Sequence, residues 1–117
     1  MSVADPATLR AAVELFNRGS YLAAHELFEE LWEAGEGPDA DFHKGLVQAS
    51  VALHHLEEGR LEGAASLFRG HRALLARYAP THLGIDVTAL LEDMQATLRA
   101  RMTGQEVEAL PRIRRDA

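Results

Sequence analysis

With 117 residues, 47% of them apolar and 26% charged, the chain has the length and balance of one globular domain rather than of a disordered segment. It contains no cysteine, which excludes disulfides, thiolate-bound zinc, iron–sulfur clusters and thiol nucleophiles. A net charge of −6 argues against a general nucleic-acid binder.

No run approaches the ~18 apolar residues of a membrane span, and Met1-Ser2-Val3-Ala4-Asp5-Pro6 does not read as a signal peptide. A cytoplasmic protein without membrane association is the expectation. Charge is unevenly placed: residues 1–58 hold eleven acidic and three basic side chains, net −8, and residues 59–117 hold seven and nine, net +2. A surface of mixed sign is the first reading and head-to-tail self-association the second, so a homo-oligomer stays open.

Glycine and proline divide the chain into helices. Asp5-Pro6 reads as a cap followed by a first-turn proline, with Leu9, Val13 and Phe16 recurring on one face until Gly19. A second helix is predicted over 20–34, with Tyr21, Ala24, Phe28, Leu31 and Trp32 on one face, and Gly35-Glu36-Gly37-Pro38 is a loop. A third is predicted over 39–58 and a fourth over 61–78, broken by Pro80. Residues 81–86 read as a loop, and Asp86 caps a fifth helix carrying Val87, Leu90, Leu91, Met94 and Leu98. Thr103-Gly104-Gln105-Glu106 has the spacing of a capping box and predicts a further helical turn. No segment alternates with period two, so no sheet is expected.

Gly19, Tyr21, Ala24, Leu27 and Phe28 recur as Gly59, Leu61, Ala64, Leu67 and Phe68, at a constant offset of forty. Each copy is a helix, a glycine turn and a helix whose small alanine admits a close neighbour, as in a tetratricopeptide-type hairpin. Two copies are too few for an open solenoid. The expected fold is therefore all-α: a compact bundle of five or six antiparallel helices built from hairpins with tetratricopeptide-like local geometry. Residues 1–110 are expected to form one domain, and 111–117, with Arg112, Arg114 and Arg115, a mobile basic tail.

The third helix is unusual. Between Gly45 and Leu56 it has no Asp, Glu, Lys or Arg, which predicts a central position, yet it carries Gln48, Ser50, His54 and His55. Buried without partners, such groups cost on the order of 1–3 kcal/mol each. Asp41, Gln48 and His55 stack at i, i+7 and i+14 beside Gly45 and Ala52, leaving room for another helix, a water or an ion. On the second helix His25, Glu26 and Glu29 lie at the edge of the apolar face. If these helices pair antiparallel, His25 and Glu29 would meet Gln48 and His55. That set has the ligand types of a Zn, Mn or Fe site. It equally suits a buried hydrogen-bond network that fixes helix register.

Sharper motifs fail. Position 29 is Glu, so His25-Glu26-Leu27-Phe28-Glu29 is not a His-Glu-x-x-His zinc helix, and no Glu precedes a His by three as in di-iron bundles. Asp39, Asp41 and His43 read as a solvated helix start before a cation site. His71 reads as a core or boundary histidine, and Tyr21, Phe28 and Trp32 as core. Arg60, Arg69, Arg72 and Arg77 read first as a solvated face and second as an anion or partner patch.

The run Phe16-Asn17-x-Gly19-x-Tyr21-x-x-Ala24-His25-Glu26-x-x-Glu29-x-x-Trp32 resembles the signature of a small bacterial and archaeal family, domain of unknown function 309. The resemblance continues through Gly37-Pro38, Phe42-x-x-Gly45-Leu46-x-Gln48, His55, Gly59-x-x-x-Gly63-Ala64 and His82-Leu83-Gly84-Ile85-Asp86-Val87, covering roughly residues 9–95. It implies an all-helical fold, and some members carry the label of a predicted metal-dependent hydrolase. His54 and Arg60 depart from the family's pattern, in which an aromatic and an Asn are usual.

Two functions follow as expectations. In a metal-dependent hydrolase, His25, His55 and Glu29 would hold a divalent Zn, Mn or Fe ion, Glu26 would be the general base, and Gln48 and Trp32 would contact a small-molecule substrate. In a helical interaction module with a protein partner, the same residues would hold the hairpins in register.

Overall fold

The computed structural model describes residues 6–35, 37–107 and 109–115. Five α-helices follow one another: α1 Pro6–Asn17, α2 Tyr21–Ala34, α3 Ala40–Glu57, α4 Leu61–Leu75 and α5 Val87–Met102. A single 3-10 turn, Ala76–Tyr78, and two short strands, β1 Thr81–His82 and β2 Ile85–Asp86, join α4 to α5. The expected cap Asp5 lies outside the described residues.

The helix ends show why the glycine punctuation was informative. Gly19 and Gly59 have φ of +86° and +77°, the left-handed region in which a side chain would be strained. This conformation lets the following amide turn back: Ser20 N–H donates to the Leu15 carbonyl and Arg60 N–H to the His55 carbonyl, both at 2.9 Å. Gly104, at φ +77°, ends α5 the same way, with Gln105 N–H donating to the Ala100 carbonyl at 2.8 Å. The Thr103–Glu106 spacing, read as the start of a further helical turn, thus belongs to the end of α5. Thr103 Oγ1 donates back to the Arg99 and Ala100 carbonyls.

α3 is the central layer, packed between α2 and α4. Its Phe42, Leu46, Ala49, Ala52, Leu53 and Leu56 are buried, as are Ala24 and Phe28 on α2 and Ala64 and Phe68 on α4. The two copies of the offset-forty repeat therefore place the same residue types in one core. A radius of gyration of 13.3 Å is that of a compact domain of this length, about 13 Å for 100 residues. Asp86 caps α5 as expected, its Oδ1 accepting from Ala89 N–H at 2.9 Å.

The expectation of a loop over 81–86 and of no sheet is corrected. Residues 81–86 form an antiparallel hairpin, Thr81 opposite Asp86 and His82 opposite Ile85, turned through Leu83 at φ +49° and Gly84 at φ +76°. Two successive positive φ values match the twist of a two-residue hairpin. The segment after Pro111 makes contacts with the rest of the domain as far as Arg115. Ile113 is buried in the core. The Asn17 side chain holds both its backbone groups, Nδ2 donating to the Ile113 carbonyl at 2.9 Å and Oδ1 accepting Ile113 N–H at 2.7 Å. Asp86 N–H donates to the Arg114 carbonyl at 2.8 Å, Arg115 bridges to Ile85, and Arg114 pairs with Asp93 at 3.2 Å. Asp116 and Ala117 lie outside the described residues.

Candidate functional site

The polar stripe of α3 meets α4. A Cβ on Gly70 would overlap Gln48 Oε1 and lie 3.2 Å from its Cδ, and a Cβ on Gly63 would touch the His55 ring at 3.7 Å. Gln48 and His55 are seven residues apart, as are Gly63 and Gly70 in the opposite direction, so two polar side chains of α3 sit on two glycines of an antiparallel α4. The fit is reciprocal at the far end. Gly45 on α3 receives Leu75, whose Cδ2 and Cγ would be 2.7 Å from a Cβ there, and His71 Nδ1 lies 3.3 Å from the Gly45 carbonyl. The small residues of this stripe make room for a helix.

On α2, His25 Nε2 pairs with Glu29 Oε2 at 2.7 Å, one turn along the same helix. Glu26 is exposed, and Trp32 is half-buried with Lys44 Nζ 5.4 Å from its ring centroid. Among the described residues no three His, Asp or Glu side chains are grouped so that they could hold a metal ion. Among the described residues, His25, Glu29 and His55 therefore do not form the expected buried ligand cluster. The physical reason is the helix face: Gln48 and His55 pack on α4. Nor do these residues form one hydrogen-bonded network. Gln48 Oε1 and His25 Nδ1 are buried without partners among the described residues, so the seam is matched by packing.

The two departures from the family's pattern sit at one end of this seam. His54 Nε2 lies 3.8 Å from Glu58, and Arg60 reaches both Glu58, at 4.0 Å, and His55 Nδ1, at 3.5 Å.

A second polar group was not assembled from the sequence. His82 Nε2 meets Asp39 Oδ1 at 2.7 Å, and the His82 ring packs against Phe42 and Tyr78 at centroid distances of 4.7 and 4.6 Å. Tyr78 OH donates to the Pro38 carbonyl, and Asp41 pairs with Arg77 at 3.2 Å. Asp39 and Asp41 thus tie the start of α3 to the hairpin region instead of facing water alone. His43 is buried beside them, with neither ring nitrogen partnered among the described residues. Burial pushes its pKa down, nearby Asp39 opposes this, and His82 adds to it. The hint was the pairing of His82 with Gly84-Ile85-Asp86, legible only once the hairpin is known.

The other feature not anticipated is an open cleft of about 160 Å³ between α4 and α5, with His71 in its wall among apolar side chains.

Residues 9–67 match the family described as "Domain of unknown function (DUF309)". An "Uncharacterized protein" of Aquifex aeolicus (strain VF5) is 28% identical over 93 residues, covering 76% of this chain and 28% of that protein. The chain thus spans less than a third of that relative's length.

Proposed function

The chain belongs to the DUF309 family, and from that premise we propose that it is a non-enzymatic, cytoplasmic interaction module built from two tetratricopeptide-like hairpins, α1–α2 and α3–α4, closed by α5. One observation carries the reading: Gln48 and His55, the side chains most suggestive of chemistry on α3, are engaged in fitting the glycines of α4. Support for the hairpin assignment comes from the matching glycine turns at Gly19 and Gly59 and the buried Ala24/Phe28 and Ala64/Phe68 pairs. The α4–α5 cleft supplies a surface for a partner. No helix among the described residues is long and apolar enough to cross a membrane.

The test is metal content per chain on untagged protein after reloading with Zn, Mn and Fe, alongside His25→Ala and His55→Ala. The module reading expects sub-stoichiometric metal in all three proteins. Near-stoichiometric metal in the parent, lost in both variants, would overturn it and restore the hydrolase with Glu26 as base and Trp32 and Gln48 at its substrate.

A further inference from the structure

The outer face of α2 carries an apolar side chain followed by negative charge. Leu22 is 50% exposed, and Glu26, Glu30 and Glu33 follow it at i+4, i+8 and i+11, all exposed. On a helix these positions share one stripe. None of the three glutamates makes an ion pair among the described residues. Like charges one turn apart are unfavourable on a helix, so this stripe gains from meeting positive charge. A single exposed leucine is ordinary; this one stands at the head of an unpaired acidic row.

The complementary surface is the cleft between α4 and α5. It is lined by buried Phe68 and Met94 and half-buried Leu91 and Leu98. Its about 160 Å³ falls below the ~300–1,000 Å³ of pockets for cofactor-sized molecules and has the scale of a side-chain anchor. Arg69 and Arg72, one turn apart on α4, are exposed at its edge. Arg69 makes no ion pair among the described residues, and Arg72 Nη1 donates to Gln95 Oε1 at 2.7 Å, leaving its other N–H groups available. No carboxylate among the described residues lines the cleft.

The two surfaces cannot meet within one chain, because α2 packs on one side of α3 and α4 on the other. Charge along the chain follows the same division, net −8 over residues 1–58 and net +2 over 59–117. Spacing matches as well as sign, with Glu26 and Glu30 one helical turn apart and Arg69 and Arg72 likewise.

We propose that the α4–α5 cleft is the docking site of a second copy of this chain, joined head to tail. Leu22 of one molecule enters the cleft of the next, and Glu26 and Glu30 reach Arg69 and Arg72 at its edge. A contact between two different faces repeats, so it builds rings or open chains rather than a two-fold dimer. The inference rests on the interaction-module reading and names the partner as the chain itself.

The experiment is sedimentation of the full chain over a concentration series at low and at high salt. The expected result is a mean mass that climbs past that of a dimer at low salt and falls back at high salt. Leu22→Ala should weaken the association about tenfold. Glu26→Arg with Glu30→Arg should abolish it, as should Arg69→Glu with Arg72→Glu. All these positions are exposed, so the melting curves should stay in place. Mixing the two reversal variants places opposite charges at every contact again and should restore association that neither shows alone. A parent that stays monomeric or stops at two overturns the inference. So does association indifferent to salt, to Leu22→Ala or to either reversal, and so does a mixture that stays monomeric. A monomer leaves the module reading standing with another partner. Stoichiometric metal lost in His25→Ala and His55→Ala overturns the module reading and leaves the sedimentation result as observed.

Discussion

Gln48 on α3 and Gly70 on α4 are matched in shape: the amide end of one occupies the space that a Cβ on the other would need. The three glycines of this seam therefore differ in what an added methyl group would meet, although all lie within helices.

Alanine in place of glycine favours a helix by up to ~1 kcal/mol, and overpacking opposes it by about 1–3 kcal/mol. Gly63→Ala makes only ordinary contact with His55 and should be stabilising by up to ~1 kcal/mol. Gly70→Ala displaces the Gln48 amide and should be destabilising by about 1 kcal/mol, with recovery when Gln48→Ala is added. Gly45→Ala strikes the buried Leu75 and should be the worst, at about 2 kcal/mol. Urea denaturation of the four variants checks the order.

Acid should destabilise the fold through its buried imidazoles. His71, pushed down to about 4, and His43, also lowered, both have folded pKa values below the ordinary 6.5. The unfolded chain takes up protons first, so stability falls as pH drops from about 6.5 to about 4, and neither group acts above that window. His71 alone corresponds to about 3 kcal/mol across it. His71→Leu should be less stable at pH 7 and show a shallower acid slope in melting curves taken between pH 4 and 8. Tyr21 mirrors this in alkali: burial, then Glu57, pushes it up to about 12, so stability declines as pH rises from about 10 towards 12.

Asn17→Ala should release the anchored C-terminal segment. It removes both hydrogen bonds to Ile113, for a loss of about 2 kcal/mol. Hydrogen exchange should quicken at the Ile113 and Asp86 amides, the second because its acceptor is the Arg114 carbonyl. Unchanged protection at Asp86 would show that the Asn17 clamp does not hold this segment.

Leu83→Asn should raise stability by ~0.5–1 kcal/mol. Leucine at φ +49° is strained, asparagine tolerates this conformation, and the side chain is 42% exposed, so little packing is lost. A higher melting temperature with an unchanged spectrum is the expected readout.

These features were not equally legible in the sequence. Helix order followed from Gly19, Gly59 and Pro80, whose effects are local, and the repeat placed Ala24 and Ala64 correctly in the core. Periodicity also isolated the Gln48/His55 stripe. It could not say whether that stripe meets α2 or α4, because a face has no neighbour until the helices are packed. The strands at 81–82 and 85–86 are too short to show alternation, and Leu83 occupies a turn position where Gly or Asn would have given the signal. Ile113 is a single apolar residue among arginines, with a partner, Asn17, far away in the chain. The His71 cleft depends on the spacing of α4 and α5, which no local pattern encodes.

The distance between Asn17 and Ile113 has a consequence for synthesis. The two are separated by 96 positions, so the partner of Asn17 is made roughly 5 to 20 seconds after it, at the usual pace of translation. Through that interval both hairpins can form from local contacts, but the core position that Ile113 fills stays open. Closure of the domain is thus a late event on the ribosome's clock, and the nascent chain carries an uncovered apolar spot until it happens.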